Sequence, residues 1–341
     1  MKYIQLGNSG LVVSRLSIGT MLFGGEGDYY GLKYSLNQDD ADTLVAESIE
    51  QGINLFDTAN MYNSGISEIM LGKSLGAKRK SVLISTKLAF RTGDEVFNAG
   101  IGYKQIIEQC EASLKRLGTD YIDILSLHTD DPVTPFEETA KAMEHLQAQG
   151  KIRYPGFSNW QAWKAAGFLK MQKDRGYSPF ISAQMHYSLL NRSLDEEFIP
   201  MIMHYGVGLM VWSPLSGGFL TGKYTRSNPA PEGARLNTFD LHLFDREKGY
   251  SIIEKVTDIA KKYHTSPAAV SLAWLLSKRY CSTIIIGISK LDQFQDNMDS
   301  VSLNLSPEDI KVLDDISAPE TGYPAIFVNM QDQQLKDAKI M

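Results

Sequence analysis

The chain has 341 residues, 43% of them hydrophobic and 22% charged, which is the composition of a folded globular protein rather than a disordered or fibrous one. Its net charge of -6 gives no basic field to recruit nucleic acid or an acidic lipid surface, so neither is expected as a partner. Two cysteines, Cys110 and Cys281, lack metal-ligand spacing and cannot build a disulfide framework; they read as buried thiols in a reducing compartment.

Met1-Lys2-Tyr3-Ile4-Gln5 lacks the apolar run of a secretory signal, and no uninterrupted apolar stretch approaches the ~18 residues of a membrane span. The expectation is a cytoplasmic protein. The one tight basic cluster, Lys78-Arg79-Lys80, reads as a solvated turn before a strand.

In chain order, residues 2–15 read as a hairpin turning at Gly7-Asn8-Ser9-Gly10. Short runs rich in Val, Ile, Leu and Phe follow at 16–23, 53–58, 82–88, 121–128, 152–157, 181–186, 207–213 and 283–288. Their near-continuous apolar character is that of strands covered on both faces. Amphipathic stretches lie between them. Residues 39–51 place Ala41, Leu44, Val45 and Ile49 on one stripe and stop at Gly52; residues 103–117 gather Ile106, Ile107, Cys110, Leu114 and Leu117 and stop at Gly118. Residues 135–149 open on Thr134 as N-cap, with Pro135 at the first helical position, and stop at Gly150.

Eight strand-then-helix units, with no linker or composition break, predict a closed (β/α)8 TIM barrel rather than an open doubly wound sheet, as one domain over residues 1–341. The insertion at 214–281, between the seventh and eighth strands, is too long for one crossover. It holds the glycine-rich loop SPLSGGFLTGKY and helices near 247–262 and 267–278, and long loops in compact domains are usually functional.

In such barrels the reactive groups stand at the C-terminal ends of strands and in the loops that follow. Asp57 ends the second run, Tyr62 follows it, Lys87 ends the third and His128 the fourth. Taken singly, these are a helix cap, loop packing, a rim charge and a core histidine. Together they deliver an acid, a phenol, an ammonium and an imidazole to one mouth. A tyrosine with a free pKa of ~10 can hold a proton at neutral pH and give it to a nascent alkoxide. A neighbouring ammonium lowers that pKa towards the working pH, a carboxylate holds the ammonium, and an imidazole orients a carbonyl oxygen. None of the four can supply hydride, so a cofactor must.

These residues resemble the catalytic tetrad of the aldo-keto reductases: Asp57-Thr58-Ala59-x-x-Tyr62, Lys87 in Ser85-Thr86-Lys87, and Leu127-His128. Further likenesses are Gly156-Phe157-Ser158-Asn159, Gln184 in AQMHYSLLNR, Trp212-Ser213-Pro214-Leu215 with GGFLTGKY, and Gly287-Ile288-Ser289-Lys290 with Asn297. The resemblance covers roughly residues 2–317 and is greatest to the branch holding aryl-alcohol dehydrogenase-like enzymes and potassium-channel β-subunits. It implies that Tyr62 is the general acid/base, Lys87 and Asp57 its tuning pair, and His128 the carbonyl-orienting donor. It implies that Ser158, Asn159 and Gln184 hold a nicotinamide carboxamide while Trp212 stacks on the ring. Ser213, Leu215, Gly217, Leu220 and Lys223 would follow the pyrophosphate, and Gly287, Ser289, Lys290, Gln293 and Asn297 the adenosine end. NADP(H) is the preferred cofactor on this reading and NAD(H) the alternative, because Gln293 stands where many NADP-specific relatives carry arginine.

Other motifs fail. Gly25-Glu26-Gly27 begins a dinucleotide fingerprint that Tyr30 breaks, and no P-loop, HExxH or GxSxG is present. Met185, Met201, Met203 and Met210 read as core filler, so no metal is expected. Substrate contacts are expected from Phe23, Tyr29, Tyr30, Phe90 and Trp160, with Phe239, Tyr323 and Phe327 behind them, and suit a bulky apolar or aromatic carbonyl compound. Three functions follow: an NADPH-dependent aldehyde or ketone reductase, a cofactor-binding regulatory or partner protein like channel β-subunits, and a lyase or hydrolase using Lys87 as an imine-forming nucleophile. Oligomeric state is not specified.

Overall fold

The computed structural model describes residues 1–24, 28–29, 32–33, 36–95 and 98–338, with backbone alone at 28–29 and 32–33. The expected N-terminal hairpin is β1 (Tyr3–Gln5) paired antiparallel with β2 (Val12–Ser14). The first barrel strand is β3 (Leu16–Gly19), followed by a small hairpin of β4 (Asp28–Tyr29) and β5 (Leu32–Lys33). The remaining expected runs are β6 (Leu55–Asp57), β7 (Leu83–Leu88), β8 (Ile122–Leu127), β9 (Ile152–Ser158), β10 (Ser182–His186), β11 (Gly208–Trp212) and β12 (Cys281–Gly287). They close with β3 into one parallel barrel in the order β3-β6-β7-β8-β9-β10-β11-β12.

Helices cover the outside: α1 (Gln38–Glu50), α2 (Ile66–Leu75), α3 (Tyr103–Leu117), α4 (Phe136–Ala148), α5 (Ala162–Arg175), α6 (Phe198–Tyr205), α7 (Arg246–Lys262) and α8 (Pro267–Leu276). After β12 come α9 (Asp292–Asp299), α10 (Pro307–Ser317) and α11 (Ala325–Asp337). The starts of these helices follow local chemistry. Asn37 and Asp40 cap each other's backbone at α1, and Ser266 and Ser306 accept from the third helical N–H of α8 and α10, each with proline first. At α4 the expected cap is corrected by one residue. Pro135 itself is the N-cap, because Thr134 is drawn away to Asp131, which accepts its N–H at 2.6 Å and its hydroxyl at 2.8 Å.

Alternation along each strand sorts the barrel interior by height. At the N-terminal end, Leu6 and Val13 of the hairpin pack with Leu55, Ile124, Met210 and Ile285 in a small core of their own. The hairpin thus plugs the barrel bottom with apolar side chains. Two residues further along the same strands, the inward positions are Asp57 and Trp212. A second, much larger core lies between barrel and helices, where both cysteines are buried and unpaired; burial pushes each thiol up to about 12.

Arg79 is not the solvated turn residue expected. It donates to Val82 O at 3.0 Å, Tyr121 O at 2.9 Å and Asp123 Oδ2 at 2.7 Å, and it lies over the Tyr121 ring. Asp123 Oδ2 also accepts the Ile84 N–H at 2.9 Å, so this pair stitches the starts of β7 and β8 together. Met203 departs too: Met185 and Met210 are buried, whereas Met203 is exposed. Among the described residues no acidic, histidine or cysteine cluster could hold a metal, and no helix is long and apolar enough to cross a membrane.

Candidate active site

A cavity of about 330 Å³ opens at the C-terminal end of the barrel. Asp57, Tyr62, His128 and Phe90 line it, as do Ser158, Asn159, Gln184, Trp212, Ser213, Gly217 and Gly287. Lys87 lies just beneath, with no exposed surface.

The Tyr62 position depends on an unusual local backbone. Asn63, Ser64 and Gly65 follow it with φ of 46°, 50° and 90°, three consecutive left-handed residues that turn the chain sharply into α2. Left-handed non-glycine residues cost energy and gather at functional sites. Asn159, Ser213 and Ser216, at the ends of other strands around the same mouth, share the feature with φ of 58°, 50° and 48°.

The four candidate reactive groups converge. Lys87 Nζ donates to Asp57 Oδ2 at 2.6 Å and to Thr58 O at 2.5 Å, and it stands 5.0 Å from the Tyr62 ring centroid. Burial works against the Lys87 ammonium, but Asp57 and Tyr62 outweigh it and hold the group above the usual lysine range. For Tyr62 the balance falls the other way. Burial raises its pKa and Asp57 adds to that, while Lys87 and Arg235 pull it down without overcoming the burial. The phenol is therefore a weaker acid than a free tyrosine, not the stronger one expected from Lys87 alone. His128 makes edge contacts with Tyr62 and Phe90 at centroid distances of 5.9 and 4.8 Å. Burial first, and then the Lys87 charge, hold it neutral well below the ordinary histidine range. Its Nδ1 is buried with no hydrogen-bond partner among the described residues, which leaves the Nε2 edge for the cavity.

One wall is a chain of linked polar side chains. Ser158 Oγ donates to Gln184 O at 2.7 Å, Asn159 Nδ2 donates to His128 O at 3.0 Å, and Trp212 Nε1 donates to Asn159 Oδ1 at 3.1 Å. Along the loop after β11, Gly217 and Gly218 adopt φ of 65° and 87°; the Gly218 N–H is turned back to Leu215 O at 3.0 Å, while Gly217 lines the cavity. Leu215 is half-buried in this loop, whereas Leu220 is fully buried with its N–H donating to Leu215 O at 3.2 Å. Lys223 stands over Gly218, and its pKa is lowered by partial burial and by the charges of Arg235 and Lys290. At the far end, Ser289 turns its N–H and hydroxyl to Gln293 Oε1, both at 3.1 Å, instead of capping α9. Lys290 and Gln293 are exposed, and Asn297 is buried.

The expected substrate residues divide. Phe90 lines the cavity, but Phe23 is in the core and Trp160 is buried among Phe136, Phe157, Phe168 and Phe180; both are corrected to packing positions. Tyr30 lies outside the described residues, as does the Tyr29 side chain. Phe239 is in the lining, whereas Tyr323 and Phe327 are exposed and outside it. Two lining residues escaped the sequence reading. His186 follows Gln184 by two on β10, so alternation alone puts it on the same inward face. It packs against Trp212 at 4.7 Å, and burial holds it at about 4. Arg235 comes from the long loop and makes no ion pair among the described residues; only its position in that loop marks it.

The aldo/keto reductase family profile matches residues 15–318. A Schizosaccharomyces pombe protein named "Putative voltage-gated potassium channel subunit beta" is 35% identical, over 91% of this chain and 92% of its own. A second from that yeast, named "Putative aryl-alcohol dehydrogenase", is 35% identical over 93% of this chain and 96% of its own. Versiconal hemiacetal acetate reductase of Aspergillus parasiticus is 32% identical over 95% and 99%. With a closed parallel barrel, its reactive groups gathered at one end and this match across most of its length, the chain belongs to the aldo/keto reductase family of oxidoreductases.

Proposed function

We propose that the protein reduces aldehydes or ketones to alcohols with NADPH, reversibly, and that Tyr62 gives and takes the proton. The observation that carries this reading is the chain of contacts from Asp57 through Lys87 to Tyr62, beside a neutral His128 on one cavity floor. A bound nicotinamide dinucleotide supplies the hydride.

The residues present fit such a cofactor. Trp212 offers a flat face, and Gln184 and Ser158 offer polar atoms beside it. Gly217, in the cavity lining, offers its backbone amide for a phosphate oxygen, and Arg235, Lys223 and Lys290 supply positive charge along the same side. Lys290, unpaired among the described residues, suits a phosphate on the adenosine ribose and is the reason for preferring NADPH over NADH.

His128 then holds the carbonyl oxygen through Nε2, with the neutral ring as donor. Tyr62 keeps its proton at neutral pH and releases it only to a strong base, which is what an oxygen becomes as hydride arrives at its carbon. Lys87 stabilises the phenolate left behind, and Asp57 holds Lys87 in place. The outer cavity, with Met21, Leu22, Phe90, Leu236 and Phe239, excludes water and favours a bulky apolar or aromatic carbonyl compound. Lys87 does not suit imine formation, because its amine is held protonated.

The test is NADPH consumption with a panel of aromatic and aliphatic aldehydes and ketones. Turnover on the order of 1 per second or faster with some member is expected. Tight cofactor binding with turnover slower by orders of magnitude across the whole panel would favour the second reading, a regulatory cofactor-binding subunit, which the name of the first yeast relative suggests.

A further inference from the structure

Ser85 stands two positions before Lys87 on β7, so both side chains point into the barrel. In the ladder between β6 and β7 it lies directly opposite Asp57. It is fully buried and is not part of the cavity lining. Its hydroxyl donates to Asp57 Oδ1 at 2.9 Å, and Gln184 Nε2, reaching across the barrel, donates to the same oxygen at 2.8 Å. Oδ2 is left for Lys87 Nζ at 2.6 Å.

This division of labour between the two carboxylate oxygens has a geometric effect. A carboxylate held at Oδ1 by Gln184 alone can turn its plane about that single contact and loosen its hold on the ammonium. Two donors on Oδ1 fix its plane. The ammonium has three protons, of which one goes to Asp57 and one to Thr58 O, so the third is aimed by the other two at the Tyr62 side. The two threonines next in sequence to Asp57 and Ser85 are engaged elsewhere: Thr58 with Ser67 at 3.1 Å, and Thr86 as donor to Glu68 at 2.6 Å.

The geometry points to Ser85 as a positioning residue, which acts through Asp57 and Lys87 to set how readily Tyr62 gives up its proton. The assignment rests on Tyr62 being the proton donor. The groups acting on Tyr62 are Lys87 from β7, Asp57 from β6, Arg235 from the long loop and His128 after β8, the last of them neutral. Loss of the Ser85 hydroxyl has one sign by two routes. Less of the Asp57 charge is drawn onto Oδ1, so more of it opposes phenolate, and a less firmly held ammonium favours phenolate less. Both make Tyr62 harder to ionise.

The experiment compares wild type, Ser85→Ala and Ser85→Thr, the last keeping the hydroxyl. Alcohol oxidation needs phenolate, so the midpoint of its rising pH–rate profile should move up by about 0.5–1 pH unit in the alanine variant and return with threonine. At fixed neutral pH, kcat for oxidation should fall about three- to tenfold with the cofactor KM unchanged, since Ser85 does not touch the cavity. A second readout needs no turnover: a 13C titration of the tyrosine Cζ signals in the cofactor-free protein, with Tyr62 assigned by Tyr62→Phe. The Tyr62 titration should move to higher pH in Ser85→Ala. Superimposable titrations of the alanine variant and wild type, or equal shifts with alanine and threonine, would overturn the assignment. Should the alanine variant not fold, Ser85→Cys, whose thiol is a weak donor, takes its place under the same criteria. A Tyr62 shift in a protein that reduces no carbonyl compound would sustain the Ser85 role and reject the proposed reaction.

Discussion

Burial and charge act on the cavity side chains in opposing ways, and the outcome differs from residue to residue. Lys87 keeps its proton because Asp57 and Tyr62 are against it, whereas His128 and His186 have no acidic partner among the described residues and stay neutral. That difference predicts acid sensitivity. His186 titrates near 6.5 when unfolded and at about 4 when folded, so between those values the unfolded chain takes a proton that the folded chain refuses. Stability is undiminished above pH 6.5, declines as pH falls towards 4, and on this account loses up to about 3 kcal/mol through this residue, at ~1.4 kcal/mol per pH unit. Urea midpoints of wild type and His186→Gln, compared at pH 7.5 and 4.5, check it: the variant should lose less on acidification. An equal loss in both would show that His186 gains its proton as easily folded as unfolded. At this scale the sequence was partly legible. Asp57, Tyr62, Lys87 and His128 could be seen because each interrupts or follows an apolar run. Arg235 could not, because one charge in a polar loop carries no periodic signal.

Single elements divide between holding the barrel and dressing its mouth. At the closed end, Arg79 joins the starts of β7 and β8 through a largely buried pair with Asp123. Removing one partner of such a pair leaves the other charge buried, so Arg79→Ala should cost about 3 kcal/mol in denaturant unfolding. Activity per folded molecule should stay at the wild-type level, and a variant as stable as wild type would return Arg79 to the solvated turn first expected. At the open end, the turn from β12 into α9 carries Lys290 with no partner among the described residues. Fluorescence titration of Lys290→Ala should show NADPH binding weakened by about 1–3 kcal/mol and NADH binding nearly unchanged. Losses of equal size for both cofactors would remove the phosphate from this lysine. Helix and strand identities were readable because period and punctuation agreed, as at α3, which spans Tyr103–Leu117 and ends on Gly118. The start of α4 shifted by one residue because Asp131, from outside the helix, competes for Thr134, and no local rule contains that contact.

For the molecule as a whole, eight alternating units sufficed to name the barrel, since parallel strands with helices between them have few ways to close. The order of its interior, apolar below and polar above, follows from the two-residue alternation once the direction of the strands is known. What sequence could not supply was depth. Phe23 and Trp160 share the aromatic character of Phe90, yet the first two are packed in the core and only Phe90 faces the cavity. The left-handed turn after Tyr62 and the neutrality of His128 likewise depend on neighbours brought together by folding. In the proposed reaction the barrel brings one phenol proton to a carbonyl oxygen beside a bound dinucleotide. Tyr62→Phe keeps the ring and removes only the hydroxyl, so the measurement is NADPH oxidation at saturating carbonyl substrate, with cofactor affinity determined on the same preparation. Unchanged NADPH affinity and a kcat lowered by about 10²–10⁴-fold are expected; a variant that binds NADPH normally and turns over within a fewfold of wild type would mean that Tyr62 is not the proton donor.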